Sequence, residues 1–307
     1  MDPSANRRAL KAARAEASEN TFKVIALEWF EVKHQLEVVP EHATRNLRRL
    51  ETYAFPALAK RPVADIQPRE VLDVLKGIVS KGHLETAHRV KALIGQVLRY
   101  AVSTSRAERD ITADLRDALP SAKEKHHPAI TDEKELSSLL QVMDSYSGQP
   151  STTAALRLAP IVIARPGELR SACWDQIDMQ AAEWHVTAKG GVALMVPLPR
   201  QALAILEEME PLSGGETHVF PSTRSKKRPI SNNTINAALK RMDYGGRMTP
   251  HGFRATARTL LVEKLGYPVE IVEMQLGHRV SDAHGRAYNR TQWLTERRAM
   301  MQAWAEA

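Results

Sequence analysis

Met248-Thr249-Pro250-His251-Gly252-Phe253-Arg254-Ala255-Thr256 is the stretch on which the reading of this chain turns. Thr249 suits a helix cap and Pro250 the first helical position, so a helix is expected to begin here with His251 and Arg254 one turn in, on one face. That face presents an imidazole, a guanidinium and unpaired backbone N–H groups to one point. A phosphate fits such a point, because helix N-termini favour anions and a guanidinium matches phosphate oxygens with a planar fork. On its own the pattern is equally a structural helix start, and its weight comes from the elements around it.

Outward toward the N-terminus, Asn232 to Met242 reads as a helix, and Ser225-Lys226-Lys227-Arg228 as a basic loop, either solvated or on a phosphate. Gln201 to Glu210 reads as a further helix. Glu183-Trp184-His185-Val186-Thr187 and Val192 to Leu198 read as two short strands joined through Lys189-Gly190-Gly191, a tight hairpin with one ammonium group at its tip. Arg165-Pro166-Gly167-Glu168-Leu169-Arg170 repeats the proline-at-first-position pattern and leaves Arg165 at the cap, beside free backbone donors. Leu156 to Ile163 reads as a buried helix, and Thr131-Asp132-Glu133-Lys134-Glu135 caps another whose buried stripe is Leu136, Leu139, Leu140 and Met143.

Beyond the opening stretch, Thr256 to Leu265 continues the helix and Gly266-Tyr267-Pro268 breaks it. Val269 to Leu276 reads as a short helix that Gly277 stops, with His278 directly beyond. Ala287-Tyr288-Asn289-Arg290 follows. The final segment brings Trp293, Leu294, Met300, Met301 and Trp304 near one face, which packs on its own domain or on a neighbouring subunit.

The N-terminal part has a different texture. Residues 1–20 are Ala-rich with Arg7, Arg8, Lys11 and Arg14, an exposed basic helix or a frayed tail. Residues 21–105 read as four or five helices: one buries Phe22, Ile25, Ala26, Trp29 and Phe30. A second opens at Pro40, carries Arg45, Arg48 and Arg49, and ends in a loop at Phe55-Pro56, before a break at Lys60-Arg61-Pro62. A third runs from Pro68 toward Gly82. The longest, Leu84 to Val102, turns Val90, Leu93, Ile94, Val97 and Leu98 inward and shows His88, Arg89, Lys91 and Arg99 on its other face. These cations are candidates for a duplex or simply a solvated face. Residues 106–130, with Lys123 and Lys125, read as a linker, where helical periodicity fades. Its adjacent His126 and His127 are discounted as metal ligands, since sequence neighbours rarely converge on one ion without further ligands. Residues 131–307 form the second domain. The fold class expected is mainly α with a small antiparallel β-sheet.

At 307 residues there is room for two domains, and the net charge of +7 favours a polyanionic partner without proving one. A single cysteine, Cys173, excludes an internal disulfide. The longest nearly uninterrupted apolar run, Leu158 to Ala164, is far short of a membrane span, and no secretory leader is seen, so a cytoplasmic location away from membranes is expected.

Arg165, Lys189, His251, Arg254, His278 and Tyr288, in that order and on those elements, resemble the tyrosine recombinase family of phage and genomic-island integrases. Arg165-Pro166-Gly167-Glu168-Leu169 is similar to the first-arginine motif, His251-Gly252-Phe253-Arg254 to the His-x-x-Arg box, and Leu276-Gly277-His278 to the turn before the nucleophile in Ala287-Tyr288-Asn289-Arg290. Gly252-Phe253-Arg254-Ala255-Thr256 and the tail from Glu296 to Ala305 resemble the satellite-phage and pathogenicity-island branch. Four features depart from it: the arm-binding N-terminal domain usual there is expected to be lacking, and the approach to Lys189 is shorter. Val192-Ala193-Leu194-Met195 is apolar where relatives are often basic, and Val162-Ile163-Ala164 stands for the more usual Thr-Gly pair.

The resemblance implies a helical core-binding domain and a catalytic domain that together grip double-stranded DNA, working as a homotetramer with accessory DNA-bending or directionality proteins. It implies Tyr288 as nucleophile and a 3′-phosphotyrosine, Lys189 as general acid, His251 as general base, and Arg165, Arg254 and His278 stabilising the phosphate. No metal, ATP or other cofactor is implied, because the phosphotyrosine conserves the bond energy. In the assembled synapse the C-terminal helix is expected on a neighbouring subunit. The other readings are a catalytically silent DNA-binding remnant, or a type IB topoisomerase acting on any supercoiled plasmid.

Overall fold

The computed structural model describes residues 20–121, 127–188, 191–278 and 293–307. The chain divides into two compact units, Met1–Glu124 and Lys125–Ala307.

The first unit is helical. Phe22–Trp29, Pro40–Arg49, Pro68–Val79 and Leu84–Ser103 are its main helices. Phe22, Ile25, Ala26 and Trp29 are buried, as their spacing predicts, against Val90, Ile94, Val97 and Leu98 of the longest helix. The expected loop at Phe55-Pro56 is instead helical: a wide turn over Leu50–Ala54 leads straight into Phe55–Leu58. Such a turn shifts the hydrogen-bond register just ahead of Pro56, which has no N–H to donate, and keeps Leu50, Ala54 and Leu58 in the core. A short 3-10 helix, Ile111–Leu115, is capped by Asp110, whose side chain accepts from Thr112 N, and Leu115 and Leu119 join the same core. Glu28 ties the first helix to the end of the longest, accepting from Arg106 at 2.6 and 2.7 Å and from Tyr100 at 2.6 Å. Those donors hold its carboxyl down to about 2.

The second unit wraps helices around a three-stranded antiparallel sheet. Its strands are β1 (Ile177–Asp178), β2 (Glu183–Ala188) and β3 (Val192–Pro197), in that order. Trp184 faces Val196 across the β2–β3 register, and Trp184, Val186 and Val196 are buried, so alternate residues of the two strands form the inner face. Helices Glu133–Asp144, Pro150–Val162, Arg200–Ser213 and Thr234–Arg241 supply Leu139, Leu158, Leu206 and Leu239 to the same core. The basic stretch Ser225 to Arg228, expected as a loop, lies in β5 (Ser225–Pro229), paired with β4 (Pro221–Ser222). The pairing comes from a tight reversal that closes Ser222 on Ser225, a local constraint that composition does not reveal.

The C-terminal helix Leu294–Glu306 packs on its own unit, one of the two placements its apolar face allows. Met300 and Met301 are fully buried with Ile163, Ala257, Leu261 and Val272. Trp304 Nε1 donates to Pro160 O at 2.8 Å, Gln302 Oε1 accepts from Arg200 N at 3.0 Å, and Arg297 Nε donates to Gln275 Oε1 at 2.9 Å. Helix ends leave backbone groups without intrahelical partners, and this helix satisfies them at two neighbours. Among the described residues no helix is long and apolar enough to cross a membrane.

Candidate active site

Three helix ends meet in the second unit. The first is the start of Gly252–Glu263. Thr249 Oγ1 accepts from Gly252 N at 2.9 Å, so the capping expected from the sequence is made. His251 nevertheless stands at the cap of the regular helix rather than one turn inside it, because the residues between Thr249 and Gly252 form a turn. Gly252 is required by packing: a Cβ there would lie 2.2 Å from the carbonyl oxygen of Pro128. Thr256 Oγ1 donates to Ile130 O at 2.7 Å, so residues 128–130 run across this helix start.

The second is the start of Pro166–Arg170, with Arg165 at its cap as expected. Glu168 accepts from Arg165 N at 3.0 Å with one oxygen and from Arg165 Nη1 at 2.9 Å with the other, which fixes both backbone and guanidinium. The third is the end of Val269–Gln275. Gly277, at φ +63, turns the chain so that His278 N donates to Glu273 O and Gly277 N to Met274 O, each at 3.0 Å. This is the double closure by which a left-handed glycine terminates a helix.

That third end organises the site. Leu276 O accepts from Arg254 Nη2 at 2.7 Å and Gly277 O from Arg165 Nη2 at 3.0 Å, while His278 Nε2 lies 3.5 Å from Arg254 Nη2. A Cβ on Gly277 would come within 3.3 Å of Arg165 Nη1 and 3.0 Å of Leu194 Cδ2, so the glycine also allows this close approach. Two guanidinium groups and an imidazole therefore converge on consecutive residues of one turn.

Arg254 is 8% exposed, and its Nη1 donates to Ile163 O at 2.7 Å. Burial, then the neighbouring Arg165 charge, lower its pKa to about 10, with Glu168 and Glu273 opposing, so it stays charged at neutral pH. Each guanidinium carries more N–H donors than its carbonyl bonds use, leaving capacity for an anion. Ile163 stands where the Thr-Gly pair was expected and adopts φ +46, ψ 26, a left-handed conformation that costs a β-branched residue about 1–2 kcal/mol. Its side chain is fully buried beside Ala257 and Met300, which offsets that cost, and its carbonyl anchors Arg254.

His251 stacks on His127 with ring centroids 4.6 Å apart and an interplanar angle of 18°. Partial burial lowers the His251 pKa first, followed by His127, Arg254 and Arg165, so the ring is neutral at pH 7 and able to accept a proton. His127, discounted as a metal ligand, has this role as a neighbour of His251 across the fold; no local signal in the sequence points to it. Glu168 was legible as the third helical residue after Arg165. Glu273 was not singled out, and it accepts from Arg258 Nε at 2.6 Å and pairs with His278 Nδ1. Lys189 and Tyr288 lie outside the described residues, as do Lys123 and Lys125.

In the first unit the candidate cations separate into two groups. His88 meets Pro120 O at 2.9 Å, and Lys91 Nζ donates to Leu115 O, so both serve the packing of residues 111–120. Arg45, Arg48 and Arg89 are exposed and Arg49 is half-buried. Burial, then Arg89 and Arg45, lower the Arg49 pKa, which marks these three as a cluster of like charge, with Glu85 paired to Arg89 at 2.5 Å.

Comparison with protein-family models matches residues 22–118 to the phage integrase central domain and residues 129–293 to the phage integrase family. The chain belongs to the phage integrase family. This family membership makes it a tyrosine-recombinase-type site-specific DNA integrase. The integrase is 35% identical over 309 residues to prophage integrase IntA of Escherichia coli (strain K12), an alignment covering 100% of this chain and 74% of IntA. It is 31% identical over 315 residues to the integrase of Enterobacteria phage P4, covering 96% of this chain and 71% of that protein. Its fold is similar to that of a lambda integrase dimer bound to a COC′ core site, with a TM-score of 0.68 at 18% identity, covering 92% of this chain and 83% of that one. The Tn1549 transposon integrase in complex with circular intermediate DNA gives 0.63 at 13% identity, covering 93% and 98%.

Proposed function

We propose that this integrase cuts and rejoins double-stranded DNA with Tyr288 as nucleophile, Lys189 as general acid, His251 as general base, and Arg165, Arg254 and His278 on the scissile phosphate. The observation that carries this reading is the convergence of Arg165, Arg254 and His278 on the turn at Leu276 and Gly277, with His251 at the start of the helix that bears Arg254. Tyr288 Oη attacks phosphorus while its proton passes to the neutral His251. The bond from phosphorus to the 5′ oxygen breaks, and Lys189 protonates that oxygen as it leaves. The guanidinium groups and His278 neutralise the charge that grows on the non-bridging oxygens. A 5′ hydroxyl of the partner strand then attacks the 3′-phosphotyrosine, releasing Tyr288 and completing the exchange.

The first unit, residues 21–105 with the stretch packed on it, is read as the core-type DNA-binding domain, and residues 131–307 as the catalytic domain. Arg45, Arg48, Arg49 and Arg89 meet phosphates, a reading supported by the exposure of Arg45, Arg48 and Arg89 and by the like charge that Arg45 and Arg89 bring to the half-buried Arg49. The lambda integrase is recorded as a tetramer on a Holliday junction, and by that likeness we read this protein as a DNA-bound tetramer. Accessory DNA-bending or directionality proteins set integration against excision of a mobile element. Similarity along the whole chain to IntA and along nearly all of it to the phage P4 integrase supports the satellite-phage and pathogenicity-island branch.

Covalent capture tests this. The full chain and its Tyr288→Phe variant are incubated with a nicked duplex spanning the element's own junction and resolved on a denaturing gel. An adduct from the native protein alone is expected, with duplex binding kept in both. Binding without an adduct in either would favour the silent remnant, and relaxation of any supercoiled plasmid the topoisomerase.

A further inference from the structure

Glu273 has no place in the reaction just described, yet it holds His278 twice. Its backbone carbonyl accepts from His278 N at 3.0 Å, and its carboxylate pairs with His278 Nδ1. The other carboxylate oxygen is taken by Arg258 Nε at 2.6 Å, from the helix that also carries Arg254. A carboxylate only accepts, so His278 keeps a proton on Nδ1, and Nε2, the nitrogen 3.5 Å from Arg254 Nη2, is the atom left to take a second proton and donate it to an anion. A ring held in this way can point in only one direction. Burial pushes the Glu273 pKa up, but hydrogen bonds from His278 and Arg258 win, holding it below the usual carboxylate range and the group charged at neutral pH.

We propose that Glu273 is a positioning residue for strand cleavage: anchored by Arg258, it holds Nδ1–H and the direction of the His278 ring so that Nε2, carrying a second proton as the imidazolium, donates to the scissile phosphate beside Arg254. This rests on the assignment of His278 to the phosphate. The competing account is a plain ion pair that joins two helices, and the two differ in whether the effect of Glu273 passes through His278.

A double-mutant cycle on the full chain separates them, read as the rate of covalent adduct formation on the nicked junction duplex at saturating DNA. Glu273→Ala should lower that rate about 10–100-fold, the usual cost of losing the partner that orients a functional histidine. Adding it to His278→Ala should change the rate less than twofold, because the pathway is already cut. Nitrogen chemical shifts of the His278 ring should report the Nδ1–H form in the native protein and a shift toward Nε2–H in Glu273→Ala, with the other histidine signals unmoved.

A full independent loss in the His278→Ala background, or a native tautomer in Glu273→Ala, would overturn the proposal. If the alanine variant does not fold, Glu273→Gln keeps the volume and an acceptor but loses the charge; a several-fold loss, again absorbed by His278→Ala, is expected, and an unabsorbed loss overturns it. A native rate in His278→Ala would instead remove the assignment beneath it, and this inference with it.

Discussion

Arg165 and Arg254 in the second unit and Arg45, Arg48, Arg49 and Arg89 in the first are the same residue type held in opposite ways. The first pair donate to main-chain carbonyls at the end of one helix, and Arg254 is 8% exposed. Their positions follow the backbone, so the charges are fixed before any phosphate arrives. The cations of the first unit lie on helix surfaces, where Arg89 is tied to Glu85 and Arg49 to Asn46, each within its own helical turn or the next. Such pairs are weak and exchangeable, and an arriving phosphate can replace the partner. Preorganised donors suit charge that develops in a transition state; exchangeable ones suit binding to a polyanion.

The contrast can be broken most directly at Arg254. Arg254→Lys keeps the charge but cannot span the carbonyls of Ile163 and Leu276 and also fork onto a phosphate. Adduct formation should fall about 100–1000-fold with duplex affinity nearly unchanged. A loss under tenfold would make the buried arginine a structural strut.

The converse experiment joins Arg45→Ala to Arg49→Ala. Duplex affinity should drop about tenfold, with a log–log salt slope shallower by about 1–2, one counterion per phosphate contact. Adduct formation at saturating DNA should hold. An unchanged salt slope would place the DNA elsewhere on the first unit.

The smallest effect sharpens the electrostatics of the site. His251 accepts a proton only when neutral, and its pKa lies below the ordinary histidine value of about 6.5, so cleavage should persist into mildly acidic buffer and fail below it. His127→Ala removes one lowering influence and uncovers a face of the ring. The acid limb of the cleavage profile should then move up by a fraction of a pH unit. Movement in the other direction would contradict the sign of the His127 effect.

Most of the helices were legible because burial at helical spacing is a local signal: Phe22, Ile25 and Trp29 in the first unit, Leu139 and Met143 in the second, fall on the faces their spacing predicts. Strands β2 and β3 were legible from their β-branched and apolar content. Phe55-Pro56 was misread as a loop because proline is a strong local breaker, and only the widened turn before it lets the helix continue. The basic run Ser225 to Arg228 showed its charge and hid its pairing.

The sequence by itself determined the residue types, their order and the caps at Thr249, Arg165 and Gly277, since capping depends on residues within one helical turn. It therefore located Arg165, His251, Arg254 and His278 at helix ends. Only the tertiary structure decided that Arg165 and Arg254 reach carbonyls of one turn, that His127 stacks on His251, and that Glu273 and Arg258 hold His278. It also decided that the last helix closes on its own unit. Apart from the short span from Glu273 to His278, these contacts join different elements, so they depend on how separately formed helices pack rather than on any spacing along the chain.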